Sequence, residues 1–284
     1  MSADTVARLL KEMNYSLKVN RKKIESNPKK VTPESKQKRN QQFMYINQVR
    51  EKFTKQKDII ISTDAKKREL VGNFKNNGVI WCKDPKDVNV YDFPTLATGV
   101  FIPYGIYNPT SNIGVVVGGV SFNTAEFAVN AIEKWWTVEG QQFSNEKKSL
   151  LILADGGGSN GSKNKLWKLS IQNNLCNKHN LNVTVCHFPP GTSKYNPIEH
   201  RLFSEISKNW AGQPLGDYET ILKYISTTKT KTGLRVQSFL DENIYCKGKK
   251  VSKEVEEQIN IMHHDILPEW NYTIFPMKSD LILR

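Results

Sequence analysis

Three carboxylates lie where a predicted regular element meets a polar loop. Asp64 follows a short β-branched run, Asp155 follows an apolar run, and Glu199 lies in the first turn of a predicted helix. Carboxylate oxygens are the ligands that hard cations such as Mg²⁺ and Mn²⁺ prefer. Two such ions about 3.5–4 Å apart would hold the attacking and leaving oxygens of an in-line phosphoryl displacement. The sequence therefore predicts Asp64, Asp155 and Glu199 as metal ligands and catalytic groups.

The order of the predicted elements explains how residues so distant in sequence would meet. Apolar and β-branched runs predict strands, and apolar residues at helical spacing predict helices. In chain order these are strands at 58–62, 98–107 and 113–120, a helix between Asn123 and Gly140, a strand at 150–154, a helix at 163–178, a strand at 182–188 and a helix from Pro197. Asn196 is predicted to cap the last helix.

This order predicts an α/β domain with a mixed β-sheet flanked by helices. The first and fourth strands can lie side by side and parallel in such a sheet. Their carboxyl ends would then place Asp64 and Asp155 together, with Glu199 reaching in from its helix. Taken singly, each carboxylate could instead be a turn former or a first-turn acid favoured by the helix dipole. The order of elements around all three favours a shared site.

A glycine-rich segment follows Asp155 and has two interpretations. Glycines at 156–158 would let a DNA backbone approach Asp155 closely. The glycines at 156–161 also match the GxGxxG pattern of dinucleotide sites. That pattern needs an acidic residue for the ribose, and none occurs between Asp155 and Glu199. The first interpretation is therefore favoured.

The four cysteines are too few and too scattered for a disulfide framework, so we predict reduced thiols. A zinc site could be formed by two cysteines and two histidines, Cys176, His179, Cys186 and His187. Cys186 and His187 are adjacent on a predicted strand, however, and would face opposite sides of the sheet. A core thiol and a polar partner near the carboxylates is the favoured interpretation.

Most of the positive charge lies near the N-terminus. The 284-residue chain has a formal net charge of +13, and residues 1–58 contribute +9 with 15 Lys and Arg against 6 Asp and Glu. A local basic excess favours a polyanionic partner, although a solvated charged face is the alternative. We predict a basic helical arm over residues 1–57 and a catalytic domain over residues 58–284 that ends in a helical extension.

Basic and polar side chains of the arm and around the carboxylates are the predicted DNA contacts. They are Arg21, Lys22, Lys23, Lys66, Lys67, Lys75, Asn160, Lys194, His200 and Arg201. No stretch approaches the roughly 18 apolar residues of a membrane span, and the N-terminus lacks the apolar run of a signal peptide. We therefore predict a cytoplasmic protein with no membrane partner.

Ordered sequence blocks resemble DDE transposases of the Rhodopirellula-type (ISAzo-group) insertion-sequence family. The main blocks lie at 71–76, 102–107, 154–161, 186–194 and 198–203, and further blocks extend to 270–274. The resemblance implies an RNase H-like catalytic domain that uses Mg²⁺ to cleave transposon ends and transfer them into target DNA. It maps the three acidic residues of the family onto Asp64, Asp155 and Glu199. It also implies a nucleoid-associated enzyme of the bacterial type that acts on double-stranded DNA as a homo-oligomer.

Two positions near Glu199 depart from the family pattern. Tyr195 and Pro197 stand where the family usually has Trp and Lys. Tyrosine keeps an aromatic stacking surface, whereas proline cannot replace the lysine as a partner for phosphate.

Residues 2–11 resemble the recognition helix that closes the family's helix-turn-helix region, with Ser2 as its cap. The helices expected before it are not in this sequence, so we expect a truncated copy or a fragment. Two alternative functions stay open at this point. One is a metal-dependent nuclease without a joining step, and the other is a catalytically idle DNA-binding remnant.

Overall fold

The structure, a computed structural model, describes residues 2–15, 32–143 and 148–277. The chain divides into two compact units, residues 1–39 and residues 40–284. The predicted DNA contacts Arg21, Lys22 and Lys23 lie outside the described residues. No helix among the described residues is long and apolar enough to cross a membrane.

The first unit contains helix α1 (Ala3–Glu12) and the start of helix α2 (Pro33–Gln56). The prediction that Ser2 caps α1 is confirmed, since its Oγ accepts the N–H of Thr5 at 3.2 Å. Thr32 and Ser35 cap α2 reciprocally, each hydroxyl accepting the N–H of the other at 3.0–3.1 Å. The described part of the predicted helical arm thus contains α1 and α2.

Nine strands in the described part of the second unit form one sheet. They are β1 (Ile59–Ala65), β2 (Glu69–Val71), β3 (Gly99–Asn108), β4 (Ile113–Gly119), β5 (Ser149–Asp155), β6 (Asn182–Phe188), β7 (Arg235–Asp241), β8 (Ile261–His263) and β9 (Asn271–Ile274). Their order is β7-β4-β3-β1-β5-β6-β9-β8, and β2 pairs with β3. Strand β3 is antiparallel to β1 and β4, whereas β1, β5 and β6 are parallel.

This topology confirms the predicted mixed sheet and is that of an RNase H-like fold. An antiparallel meander of β1, β3 and β4 is followed by β5 and β6 on the other side of β1. The helices of this unit are α3 (Ala125–Val138), α4 (Lys165–Ile171) continued by a π-helical turn (Gln172–Asn177), a π-helical turn (Glu199–Phe203) leading into α5 (Ser204–Asn209), α6 (Tyr218–Ser226) and α7 (Lys253–Glu257).

Helices cover both faces of the sheet. Helices α3 and α4 pack on one face, around the fully buried Trp135 and Trp167. On the other face, Ile46, Val49 and Phe53 of α2 pack on β1, β5 and β6. Helices α5 and α6 cover β3 and β4 on that same face. Burying apolar side chains on both faces is what a sheet with parallel central strands requires.

Two features differ from the domain prediction. The second unit begins at Asn40 rather than at residue 58, because α2 buries Gln42 and three apolar side chains there. The C-terminal part, predicted to be a helical extension, also supplies strands to the sheet. Strand β7 extends the β4 edge, and β9 with β8 extends the β6 edge. Pairing with an existing edge satisfies backbone groups that a short isolated strand would leave open.

Candidate active site

Asp64 and Asp155 lie at the carboxyl ends of neighbouring parallel strands, as predicted. The register pairs Thr63 of β1 with Ala154 of β5, so Asp64 and Asp155 are the next residues of the two strands. Residues at matching positions of adjacent strands point to the same face of the sheet. Both side chains are half-buried. The two strands therefore hold these carboxylates side by side.

A helix that starts at Pro197, as predicted, brings Glu199 to the other two carboxylates. Glu199 is half-buried and lies close enough to Asp64 for its charge to raise the pKa of that carboxyl. The helix can approach because Gly105, the β3 partner of Asp64, has no side chain. A Cβ at Gly105 would lie 2.6 Å from Cε1 of Phe203 and 2.9 Å from Cδ1 of Ile198. The glycine thus sets how closely Glu199 approaches.

Gly105→Ala is expected to push this helix away from the sheet. Overpacking a filled interior costs about 1–3 kcal/mol, and each kcal/mol lowers Tm by about 2–4 °C in a domain of this size. Thermal unfolding should show this loss together with reduced DNA cleavage. Gly216→Ala is the matched control, because nothing lies within 4 Å of a Cβ at that position. Equal Tm values for the two variants would contradict the close-packing argument.

The three carboxylates repel one another. Burial raises the pKa of Asp64 to about 8, and the charges of Asp155 and Glu199 raise it as well, although the Ala65 N–H bound at 2.7 Å opposes this. Burial also raises the pKa of Asp155, aided by Glu199 and opposed by a hydrogen bond from Asn196. Among the described residues, none of the three forms an ion pair with Lys or Arg. No described Lys or Arg therefore neutralises one of the three carboxylates by pairing with it.

This donor set fits a divalent cation. Oxygen ligands with excess negative charge suit Mg²⁺ or Mn²⁺, and a bound cation would relieve the repulsion that raises the pKa of Asp64. In the described ranges, no three His, Cys, Asp or Glu side chains already stand as a ligand set around one point. The fit accordingly rests on the chemistry of the donors and on their mutual repulsion.

Asn196 is a site residue whose role could not be recognised from the sequence. Its side chain was expected to cap the helix, and that expectation is wrong: the amide crosses instead to β1 and β5. Its backbone carbonyl accepts the N–H of Glu199 at 3.2 Å. Asparagine before proline at a helix start is typical of a cap, so the pattern gave no signal of the longer-range contacts.

Comparison with known proteins assigns the family of the chain. The model of the family described as Rhodopirellula transposase DDE domain matches residues 1–276. The chain belongs to this family. A comparison with curated proteins found no match.

Solved structures of Mos1 transposase are similar at low identity. They are the Mos1 transposase paired-end complex with left transposon end (14% identity, TM-score 0.43), the Mos1 mariner paired end complex with Mn (15%, 0.44) and the Mos1 Strand Transfer Complex (14%, 0.47). Each match covers 78% of this chain and 61%, 62% and 60% of the respective Mos1 chain. The chain thus spans about three fifths of the length of these structures.

A buried histidine supports the strand end that carries Asp155 in this DDE domain. His187 on β6 is fully buried and donates from Nδ1 to the carbonyl of Asp155 at 3.2 Å. Its Nε2 lies 3.0 Å from the hydroxyl of Tyr272, which in turn accepts the indole N–H of Trp167 at 3.0 Å. Burial lowers the pKa of His187 to about 4, so the ring is neutral at physiological pH.

The zinc hypothesis is wrong for this domain. Cys186 packs against α2 on one face of the sheet, whereas His187 contacts Tyr272 on the other. Cys176 is buried, and its thiol contacts the carbonyl of Ile274 at 3.3 Å. The favoured interpretation, a core thiol and a polar partner near the site, is confirmed.

The glycine-rich loop beside Asp155 is open. A Cβ at Gly157 or Gly158 would have nothing within 4 Å, and Gly158 has a φ of +63° that suits glycine. Helix α4 begins only at Lys165, with Asn164 as its cap. The loop therefore lacks the helix N-terminus on which a dinucleotide site depends, whereas the open space agrees with the approach of a polymer backbone.

The predicted DNA contacts that fall in described residues divide into two groups. Most are exposed, namely Lys67, Lys75, Lys194, His200 and Arg201, and Lys66 is half-buried. Asn160 differs, because it is 2% exposed and its Oδ1 accepts the hydroxyl of Tyr104 at 2.9 Å. Its side chain is not available to a phosphate, so we leave Asn160 out of the DNA contacts proposed below.

A basic cavity of about 390 Å³ is lined by Ala65, the residue that follows Asp64 in the chain. Lys66, Lys67 and Arg68 line one side, and Lys247 lines it from a distant part of the chain. The ammonium of Lys247 lies 4.5 Å from the ring centre of Phe122, which also lines the cavity. Arg68 extends a basic run visible in the sequence, whereas no sequence signal connects Lys247 to it.

Proposed function

We propose that this chain is the catalytic part of a DNA transposase that cleaves DNA at transposon ends and transfers the strands into target DNA. The observation that carries the proposal is the meeting of Asp64, Asp155 and Glu199, three half-buried carboxylates with no ion-pair partner among the described residues, in a chain of a DDE family. Residues that fold together at the cost of mutual repulsion typically serve function rather than stability.

The proposed chemistry is two successive phosphoryl transfers. In the first, a water oxygen attacks phosphorus and the bond to the 3′ oxygen breaks, which leaves a free 3′-hydroxyl. In the second, that hydroxyl attacks a phosphodiester of the target, and the target's own 3′ oxygen leaves. Two divalent cations, Mg²⁺ or Mn²⁺, would activate the attacking oxygen and stabilise the leaving oxygen.

The chain's own residues would hold and orient the reacting groups. Asp64, Asp155 and Glu199 would be the cation ligands, and Asp64 would release its proton when a cation binds, because its pKa of about 8 lies above neutrality. The open loop at 156–158 leaves space for the phosphodiester beside Asp155. No side chain becomes covalently linked to DNA in this scheme.

Basic side chains would bind the double-stranded DNA of transposon ends and target. Around the carboxylates these are Lys66, Lys67, Lys75, Lys194, His200 and Arg201, joined by Arg68 and Lys247, and in the arm they are Arg21, Lys22 and Lys23. Neutralising phosphates releases counterions, which makes such binding strongly salt-dependent. We also propose that two or more copies act together on DNA, since two ends must be joined.

Strand cleavage and joining on a labelled duplex with the element's terminal sequence tests the proposal. Product is expected with Mg²⁺ or Mn²⁺, not with EDTA, and not from Glu199→Gln. Glu205→Gln is the matched control, because Glu205 lies on the same helix and pairs with Lys208 at 2.6 Å. Cleavage without joined product would instead indicate a nuclease, and DNA binding without either product would indicate a catalytically idle remnant.

Replacing the positively charged side chains of the basic cavity with alanine is expected to weaken DNA binding and to make that binding less sensitive to salt concentration. For Lys67→Ala, Arg68→Ala and Lys247→Ala, the slope of log K against log salt should become shallower by about 0.9 for each phosphate that the variant no longer neutralises. Fluorescence anisotropy over a salt series measures this slope. Lys178→Ala is the control, since its ammonium pairs with Glu133 at 2.5 Å. An unchanged slope in all three variants would remove the cavity from the DNA surface.

A further inference from the structure

Asn196 has more polar contacts with the carboxylate cluster than any role as a helix cap requires. It is fully buried, between the loop after β6 and the helix that carries Glu199. Its Nδ2 donates to the carbonyl of Thr63 at 3.3 Å and to Oδ1 of Asp155 at 3.5 Å. Its Oδ1 accepts the hydroxyl of Ser62. Both hydrogens and the oxygen of the amide are therefore used.

Three contacts of Asn196 lead to the three carboxylates, one to each. Thr63 directly precedes Asp64, so the bond to its carbonyl ties Asn196 to the end of β1. The contact with Asp155 is direct. The backbone carbonyl of Asn196 accepts the N–H of Glu199 at 3.2 Å. One residue thus joins two strand ends and the first turn of a helix.

The partners of the Asn196 amide determine which way it points. The Oγ of Ser62 accepts the N–H of Ile198 at 3.2 Å, which leaves its own hydrogen free to donate. The carbonyl of Thr63 can only accept, so the amide atom that faces it must be the nitrogen, and Oδ1 then faces the hydroxyl of Ser62. The hydrogen-bond pattern therefore determines the orientation without the usual ambiguity of asparagine side chains.

The chemistry of an amide suits this position. A lysine would neutralise part of the cluster and compete with a cation, whereas an amide donates hydrogen bonds and adds no charge. A carboxylate at position 196 could still accept from Ser62, but it could not donate, and it would place a fourth negative charge beside Asp155. Asparagine thus orders the three carboxylates and preserves their negative charge.

We propose that Asn196, held by Ser62, is a positioning residue that holds the backbone and side chains of Asp64, Asp155 and Glu199 together so that the three carboxylates can bind divalent cations. This inference rests on the proposed function, because it presupposes that the three carboxylates are ligands. Removing a residue that hydrogen-bonds to metal ligands and orients them typically weakens metal binding by about 10–100-fold.

Binding of Mn²⁺ to the full chain without DNA tests the inference, with electron paramagnetic resonance as the measurement of free Mn²⁺. Asn196→Ala is expected to weaken Mn²⁺ binding by about 10–100-fold. Ser62→Ala should weaken it in the same direction by a smaller factor, because the amide oxygen loses its hydrogen-bond donor. The Ser62 variant also decides the question if Asn196→Ala does not fold.

Asn271→Ala is the matched control for a general loss of stability caused by removing buried hydrogen bonds. Asn271 is an equally buried asparagine, and its Nδ2 donates to Oε1 of Gln42 at 2.7 Å, away from the carboxylates. This variant should lower Tm and leave Mn²⁺ affinity unchanged. An equal loss of affinity in Asn271→Ala would overturn the positioning role, because any loss of buried hydrogen bonds would then suffice.

The outcomes separate this inference from the proposed function. Wild-type affinity in a folded Asn196→Ala or Ser62→Ala chain would overturn the positioning role alone. A wild-type chain that binds no Mn²⁺ would overturn both the role and the proposed metal site. Weaker binding by Asn196→Ala and Ser62→Ala, with normal binding by Asn271→Ala, supports the proposal.

Discussion

Asp155→Asn is expected to lower strand cleavage by at least about 10²–10³-fold, the usual cost of removing one preorganised electrostatic group from an active site. The substitution keeps the shape of the side chain and an oxygen that can accept from Asn196, so the local fold should persist. The variant loses the negative charge that a cation would need. DNA binding should be unchanged or slightly tighter, because one charge that repels phosphates is removed.

Single-turnover cleavage on a labelled duplex and anisotropy at fixed salt measure the two effects separately. Asp241→Asn is the matched control, because Asp241 is also the last residue of a strand, β7, and is half-buried. Its cleavage rate should stay within about twofold of wild type. Full cleavage by Asp155→Asn would remove Asp155 from the catalytic set, whereas parallel losses of cleavage and binding would indicate misfolding.

The central sheet could be predicted from the sequence because its strands have strong local signals. The apolar runs at 59–61 and 150–154 are bounded by polar residues, and a parallel arrangement follows once a helix separates two such strands. The predicted neighbours β1 and β5 place Asp64 beside Asp155, and this part is confirmed. Local pattern and global topology agree here, as in most natural sequences.

The contacts that complete the site could not be predicted, because they join residues that no local pattern relates. Asn196 was recognised only as a cap, yet its amide reaches two strands. Gly105 lies in an ordinary strand sequence, and its importance depends on the helix that packs on it. Lys247 lines the basic cavity from the far end of the chain. Each of these depends on tertiary packing.

The edge strands were missed for a different reason. Strand β7 has a mostly half-buried, polar-rich pattern, and β8 has three residues, of which two are exposed. Short strands of this kind are stabilised by the edge to which they are added rather than by their own sequence. The buried face of α2 could not be recognised from the sequence either, because its four buried side chains lie among many charged residues.

Asp64→Asn is expected to raise the Tm of the metal-free protein at pH 8.5 while it abolishes cleavage. Burial and two neighbouring carboxylates raise the pKa of Asp64 from 3.8 to about 8, so the folded state binds a proton more tightly than the unfolded state does. Stability then falls as pH rises between these two values. Asparagine removes the titrating group, so the variant should gain on wild type as pH increases.

Thermal unfolding at pH 5 and pH 8.5, with EDTA or Mg²⁺, measures this effect. At pH 5 the difference should be much smaller than at pH 8.5, because the pH has risen only a short way above the unfolded-state pKa of 3.8. At pH 8.5 the variant should melt higher, by about 2–4 °C for each kcal/mol of relieved repulsion. Mg²⁺ should stabilise wild type mainly at pH 8.5, where proton and cation no longer compete, and should have little effect on the variant.

Asp217→Asn provides a control of opposite sign. Asp217 caps α6, and the hydrogen bonds from Thr220 lower its pKa, so its charge stabilises the fold at neutral pH and above. Its loss should lower Tm at pH 8.5, where the loss of Asp64 raises it. A fall in Tm for Asp64→Asn would contradict the repulsion argument. A rise with cleavage retained would mean that the repulsion is real but that Asp64 has no part in the chemistry.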